Sequence, residues 1–275
     1  MSKIASQVPK RNPSGYTPQP PYGPWADCGA GDDFFYQTDA DDFNCLPTAA
    51  WTATENNGGT IALTAGGGGL LLFTTGVVAT NYASIQRAVA NLVIPQGTNA
   101  GKKFFFGARL MLASLNSGFI AGVVNSTTTP FTAGQITDGI WFSKVAGAIG
   151  SNPLSINVSA SSTNLATALS FVPTAATEFD VAFYVDQYGN VQYSIGVQLF
   201  GWIPQSGTSA VSTSGVPTLP VLCPTGKLYS GNQPTTVASG YTLPSANLSN
   251  TVGVITSTGA AQTLTLDFVG AKQER

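Results

Sequence analysis

The feature that most constrains this chain is the stretch Ala49–Val89, where short runs of aliphatic, β-branched and aromatic residues alternate with glycine-rich breaks. The runs are Trp51–Glu55, Thr60–Ala65, Gly69–Thr75 and Tyr82–Val89, with Asn56-Asn57-Gly58-Gly59 and the cluster Gly66–Gly69 as punctuation. In Thr60–Thr64, Ile61 and Leu63 fall on one side, and small or hydroxyl side chains on the other. That period of two belongs to a strand with one buried face. The glycine and asparagine breaks are turn signals, not helix caps. The four-glycine cluster opens no helix and offers no dinucleotide fingerprint, so it reads as a tight β-turn.

The same grammar recurs downstream. A short strand is expected at Phe34–Gln37, then a turn at Thr38–Asp41 and a strand from Asp42 to Leu46. Lys103–Ala113 is apolar on both faces, as suits a central strand. Phe119–Asn125, Gly139–Ala146, Leu154–Ser159 and Ala168–Val172 follow as further strands. Phe179–Val185 and Val191–Val197, joined by Asp186–Asn190, read as a hairpin. Val181, Phe183 and Val185 share one face of it, as do Val191, Tyr193 and Ile195. Thr263–Val269 closes the strand series before a polar tail, Gly270–Arg275. Ser84–Leu92 is the nearest thing to a helix, and it reads equally well as a strand. About a dozen strands at roughly ten-residue spacing specify an all-β sandwich or barrel.

Proline punctuates the two ends of this pattern. Residues 1–26 hold Pro9, Pro13, Pro18, Pro20, Pro21 and Pro24, with Tyr16, Tyr22 and Trp25 between them. Such density blocks helix and central strand and leaves an extended arm. The arm is expected to dock on a neighbouring subunit, or alternatively back on its own domain. Residues 27–275 are expected to form a single sandwich domain with a loop-rich insertion at about 204–250, where Pro, Ser, Thr and Gly dominate. Long loops of this kind usually carry an interaction.

Charge excludes several functions. Only 9% of residues are charged, against 43% hydrophobic, and the formal net charge is −2 with a sequence pI near 4.9. Nucleic acid and anionic membrane therefore find no basic footprint. A freely diffusing protein usually relies on more charge than this for solubility, so the balance leans towards a subunit covered by neighbours. The arm carries Lys3, Lys10 and Arg11, whereas Asp27, Asp32, Asp33, Asp39, Asp41 and Asp42 crowd the next segment. A basic arm on one copy and an acidic segment on its neighbour are complementary. The candidate partner-binding residues are accordingly Lys3, Lys10, Arg11, Tyr16, Tyr22, Trp25, Asp32 and Asp33. The N-terminus lacks the apolar core of a signal peptide, and no apolar run approaches a membrane span. Cys28, Cys45 and Cys223 have no framework spacing and read as free thiols, with a Cys28–Cys45 bridge as the alternative.

Catalytic chemistry is poorly supplied. The chain contains no histidine, which removes Ser-His-Asp, Cys-His and zinc-histidine arrangements. Gly226-Lys227-Leu228 does not meet the P-loop pattern. Glycosidases place two carboxyl groups about 5 to 10 Å apart; the only neighbours of that kind here are Glu178 and Asp180 on one strand face. The aspartates of 32–42 could in principle ligate calcium, but they lack the EF-hand spacing, and turn capping explains them as well. Tyr188, Tyr229 and Tyr241 could stack on sugar rings, or serve as aromatic anchors at a protein interface. No cofactor, metal site or enzymatic role is expected.

The text as a whole resembles the concanavalin-A-like, jelly-roll virion proteins of tailed bacteriophages and prophages that decorate or stabilise capsids. The likeness is carried by Asp41-Asp42-Phe43, Trp51–Thr54, Gly58–Thr64, Gly68–Leu72, Asn81-Tyr82-Ala83, Phe105–Arg109 and Phe119–Asn125. It continues through Thr129-Pro130-Phe131, Ile136–Phe142, Asp180–Tyr193, Leu266–Val269 and Gln273-Glu274-Arg275. The resemblance implies a lectin-type sandwich, made in the bacterial host cytoplasm and carried on the capsid surface. It implies binding to the major capsid protein and other virion subunits, self-association as a trimer, and no catalytic residues. The alternative is a head-fibre or tail-associated adhesin that binds host-surface glycans. The arm 1–26 and the loops 204–250 depart from the pattern.

Overall fold

A computed structural model describes residues 36–41, 49–64, 70–94, 104–146, 154–169, 171–185, 191–196, 221–222, 228–229, 235–236 and 241–274. Among these residues there is no helix. The strands, in chain order, are β1 (Tyr36–Asp41), β2 (Trp51–Glu55), β3 (Thr60–Thr64), β4 (Leu70–Thr74), β5 (Tyr82–Arg87) and β6 (Phe104–Leu112). Next come β7 (Ser117–Val124), β8 (Gly139–Lys144), β9 (Ser155–Ala160), β10 (Thr163–Ala168), β11 (Glu178–Val185) and β12 (Val191–Gly196). The two-residue pieces β13 (Val221–Leu222), β14 (Leu228–Tyr229) and β15 (Thr235–Thr236) precede β16 (Ser249–Thr256) and β17 (Thr263–Glu274).

Two antiparallel sheets face each other. The first runs β15-β12-β11-β6-β17-β4-β3, with β1 also paired to β17; the second runs β10-β9-β8-β7-β16-β5-β2. Alternation decides which side chains meet between them. From β6, Phe104, Phe106, Ala108, Leu110 and Leu112 point inwards, and the opposing sheet contributes Phe119, Ala121, Val123, Ile140, Phe142, Val252 and Val254. Phe183 stands at the centre, with its ring 5.2 Å from Phe106, 5.9 Å from Phe104 and 6.3 Å from Phe142. Such ring pairs add about 0.5–1.5 kcal/mol each beyond the area they bury. Two of these pairs lie within the first sheet, and Phe142 of β8 carries the ring contact across the mid-plane to the second.

The four strands of 49–89 form, but β3 does not bury the face expected of it: Leu63 is 46% exposed and Ile61 is only partly covered. Asn57 (φ 47°) and Gly58 (φ 87°) supply the left-handed pair of the turn that carries the chain from β2 in the second sheet to β3 in the first. Gly66–Gly69 lie outside the described residues. The β11–β12 hairpin also forms, in the register Val181↔Ile195 and Phe183↔Tyr193; its link, 186–190, lies outside the described residues.

Four further expectations are corrected. The turn placed at Thr38–Asp41 is strand, because β17 offers β1 a partner from Val269 to Glu274 and pairing overrides the turn preference of Asp and Thr. The tail Gly270–Arg275 is strand through Glu274 for the same reason, with β6 on its other side. The strand expected at Ala168–Val172 lies at Thr163–Ala168 instead. There Ser161 (φ 48°) and Ser162 (φ 69°) take up the left-handed turn that normally advertises itself by glycine or asparagine. Finally, β16 is a central strand absent from the sequence reading. It pairs with β7 and β5 along its length.

Candidate functional site: the outer faces and the loop end

The proposed partner-binding residues Lys3, Lys10, Arg11, Tyr16, Tyr22, Trp25, Asp32 and Asp33 lie outside the described residues, as do Tyr188 and the three cysteines. Tyr229 falls in β14, whose side chains are not described. Tyr241 is not a surface anchor: it packs against the core, and its hydroxyl accepts a hydrogen bond from the Val191 N–H at 2.8 Å.

The outer face of the first sheet brings Glu178 and Asp180 together on β11, as the alternation requires. It also adds two partners that the sequence reading did not link to them. Register sets Asp180 beside Arg109 of β6. A bulge between Leu266 and Phe268 brings Asp267 of β17 to the same arginine. Arg109 donates from Nε to Asp180 Oδ1 at 2.8 Å and from Nη2 to Oδ2 at 3.2 Å, with Asp267 3.6 Å from Nη1. Burial works against the Arg109 charge, but the hydrogen bonds and attraction of Asp180 outweigh it and hold the guanidinium more basic than usual. Burial raises the Glu178 carboxyl, Arg109 opposes that, and Asp267 and Asp180 reinforce it. A raised acid beside a second carboxylate has the outline of a glycosidase pair. The detail removes it: Asp180 is fully buried and both of its oxygens are held by Arg109.

The outer face of the second sheet relies mainly on amides and hydroxyls. One carboxylate, Asp138, accepts from Thr137 Oγ1 at 3.0 Å and from Ser161 N–H at 3.2 Å, and the buried Ser249 Oγ has no hydrogen-bond partner among the described residues. Residues 125–138 lie across it, and Gln86 of β5 fixes their start by accepting from Thr127 N–H at 2.8 Å and donating to Asn125 O at 3.1 Å. Asn125 Oδ1 accepts from the N–H groups of Thr137 and Asp138. Beneath this strap Phe131 and Ile136 cover Ile120, Val124 and Trp141. Phe131 reaches Tyr82, with ring centroids 5.4 Å apart. Gly253 makes room for it: a Cβ there would stand 3.0 Å from Phe131 Cε2 and 2.7 Å from Ser84 Cβ. Beyond the strap, Asn157 donates to Ser143 Oγ at 2.9 Å and accepts from Asn164.

At one end of the sandwich the strand registers gather residues 56–59, 75–81, 113–116, 145–146, 172–177 and 257–262. None of these residues is charged. Val77, Val78, Val145 and Val172 are exposed there, at 61%, 62%, 71% and 40%. The nearest lysine, Lys144, turns inwards: its Nζ donates to the carbonyls of Leu115, Ser117 and Val145, and burial lowers its pKa. The loops are tied to one another. Thr75 N–H donates to Gln262 O and Thr80 N–H to Thr256 O. Gln262 N–H returns a bond to Thr75 Oγ1, and Asn81 Nδ2 donates to Asn57 O. The result is a pre-ordered, uncharged surface that carries the four exposed valines among hydroxyl and amide groups, with Glu55 and Glu178 at its rim. Among the described residues no group of three or more Cys, Asp or Glu could hold a metal ion.

This architecture is a concanavalin-A-like jelly roll of the legume-lectin type. A protein of unknown function from Shewanella oneidensis MR-1 superposes with a TM-score of 0.55 at 9% identity, covering 87% of each chain. Peanut lectin gives 0.53 at 9% identity over 86% of this chain and 97% of its own. Basic winged bean lectin gives 0.50 at 8% over 86% and 98%. At these identities the likeness shows the fold alone. No protein-family model matches the chain, and no curated protein matches it.

Proposed function

We propose that this chain is a non-enzymatic structural protein of a phage virion, a capsid decoration or cement protein that binds the major capsid protein and stabilises the head. The observation that carries this reading is the charge-free loop end. Valines exposed on pre-tied loops suit contact with a protein neighbour and suit neither a charged ligand nor a solvated enzyme surface. The low overall charge and the family resemblance of the sequence support it. Contacts that span several shell subunits exist only in the assembled shell, so they stabilise that state by mass action. The Pro-rich arm and the acidic segment around Asp32 and Asp33 would supply the grip. Such a protein is made in the host cytoplasm and ends on the capsid surface, and needs no cofactor.

The test uses shells assembled from the major capsid protein of the phage or prophage that encodes the chain. Co-sedimentation should reach a fixed occupancy, fall sharply with Val77→Asp/Val78→Asp, and vanish on deleting residues 1–26. Unchanged occupancy for both variants, each folded, removes the reading. A second reading, an adhesin for host-surface glycans, draws on the fold shared with winged bean lectin, which was solved with Tn-antigen. Specific signals on a glycan array, with no binding to shells, select it instead.

A further inference from the structure

The lateral edges of the sandwich are not equivalent. At β3 the edge is guarded at one position, where the Glu55 carboxylate accepts the outward N–H of Ile61 at 2.8 Å. Side chains that occupy edge hydrogen-bonding groups, and charges placed there, are standard guards against strand addition. At the far end of the second sheet β10 carries neither. Its sequence, Thr163-Asn164-Leu165-Ala166-Thr167-Ala168, has no charge, no proline and no bulge against β9. Among the described residues nothing pairs with its outer side.

The ladder fixes which groups are presented. Ala160 pairs with Thr163 across a two-residue turn, and Leu169 N–H donates to Leu154 O at 2.7 Å in the same register. Thr163, Leu165 and Thr167 therefore bond to β9, and the N–H and C=O groups of Asn164, Ala166 and Ala168 point away from the sheet. Those three residues are exposed, and Leu165 at the margin of the core is half covered.

We propose that β10 pairs antiparallel with β10 of a second copy of this chain, about a two-fold axis through Ala166, joining two second sheets into one. The strand is self-complementary under that operation. Ala166 meets the partner's Ala166, Asn164 meets the partner's Ala168, and each of these pairs exchanges both backbone bonds. Leu165 faces the partner's Thr167 on the core side, so the pairing also covers the half-exposed leucine. No like charges oppose, and the small side chains allow close approach. A strand of another protein would need none of this symmetry. The contact is two-fold, unlike the three-fold association the family resemblance implies, and it stands apart from the virion reading.

The experiment is sedimentation velocity of the full chain across a concentration series, with two variants. Ala166→Pro removes the central outward N–H, which a monomer leaves to solvent; Ala166→Lys sets two ammonium groups against each other. The wild type should form dimers, and each variant should weaken dimerisation at least tenfold while keeping the circular dichroism of the monomer. If Ala166→Pro does not fold, Ala166→Lys at the exposed position decides alone. Amide exchange at Asn164, Ala166 and Ala168 should be slow in the wild type and fast in Ala166→Lys. A wild type that is monomeric throughout, or one whose association both variants leave intact, overturns the proposal.

Discussion

The outer faces of the two sheets meet the same requirement by different chemistry. Each carries polar groups that packing has removed from water, and each must give them partners. The first sheet uses charge, with Asp180 buried against Arg109 and Asp267 at its side. The second uses mainly amides, hydroxyls and a loop, with Gln86 and Asn125 bonded largely to backbone and Asn157 to Ser143 and Asn164. The lesson is about failure. Breaking a buried ion pair strands a charge, whereas breaking an amide contact strands a dipole, so the first face is the more brittle of the two.

Truncating Asp180 is the sharpest way to test that contrast. Asp180→Ala should cost about 3 kcal/mol or more in urea denaturation, since Arg109 loses its bidentate partner inside the sheet. The double variant Arg109→Met/Asp180→Leu should recover most of that loss, because two apolar groups need no partner. If the double variant is as unstable as the single one, the first face is not held by charge. Gly253→Ala comes next, at about 1–3 kcal/mol, because its Cβ must displace Phe131 or Ser84. Gln86→Ala should cost about 1–2 kcal/mol and make residues 125–138 susceptible to limited proteolysis. The smallest effect belongs to Glu178. Its folded pKa lies above the ordinary carboxylate value, so its contribution is complete at pH below that value and is lost as pH rises through the folded one. Glu178→Gln should therefore flatten a shallow acid-side slope seen in wild-type melting curves. An unchanged slope would place the titration elsewhere.

Much of the fold was legible because a period of two survives in the text of most strands. Val181, Phe183 and Val185 announce their face, and β6 announces its central place by being apolar on both. β16 was not legible for a local reason: Gly253 interrupts its outer-face pattern, and the Pro, Ser and Thr text before it reads as loop. β10 was displaced because two serines, not glycine or asparagine, make its turn. The site was harder. Alternation puts Arg109 and Asp180 on outer faces, but only register says that they are neighbours. Likewise the sequence shows that six separate loop segments lack charge, yet nothing in it says that they gather at one end. Facts about pairing between distant strands are set by packing of the whole core, and no short window of residues carries them.

The place of β17 has a consequence for how the protein is made. It lies between β6 and β4 and also receives β1, yet every other described strand precedes it in the chain. On the ribosome, the hairpins of the first sheet emerge with their facing edges bare, and Tyr36 has no partner until Glu274 is synthesised. The first sheet therefore closes only after translation of this domain is done. Its nascent form exposes strand edges for that entire interval, when chaperones or premature self-pairing would compete for them.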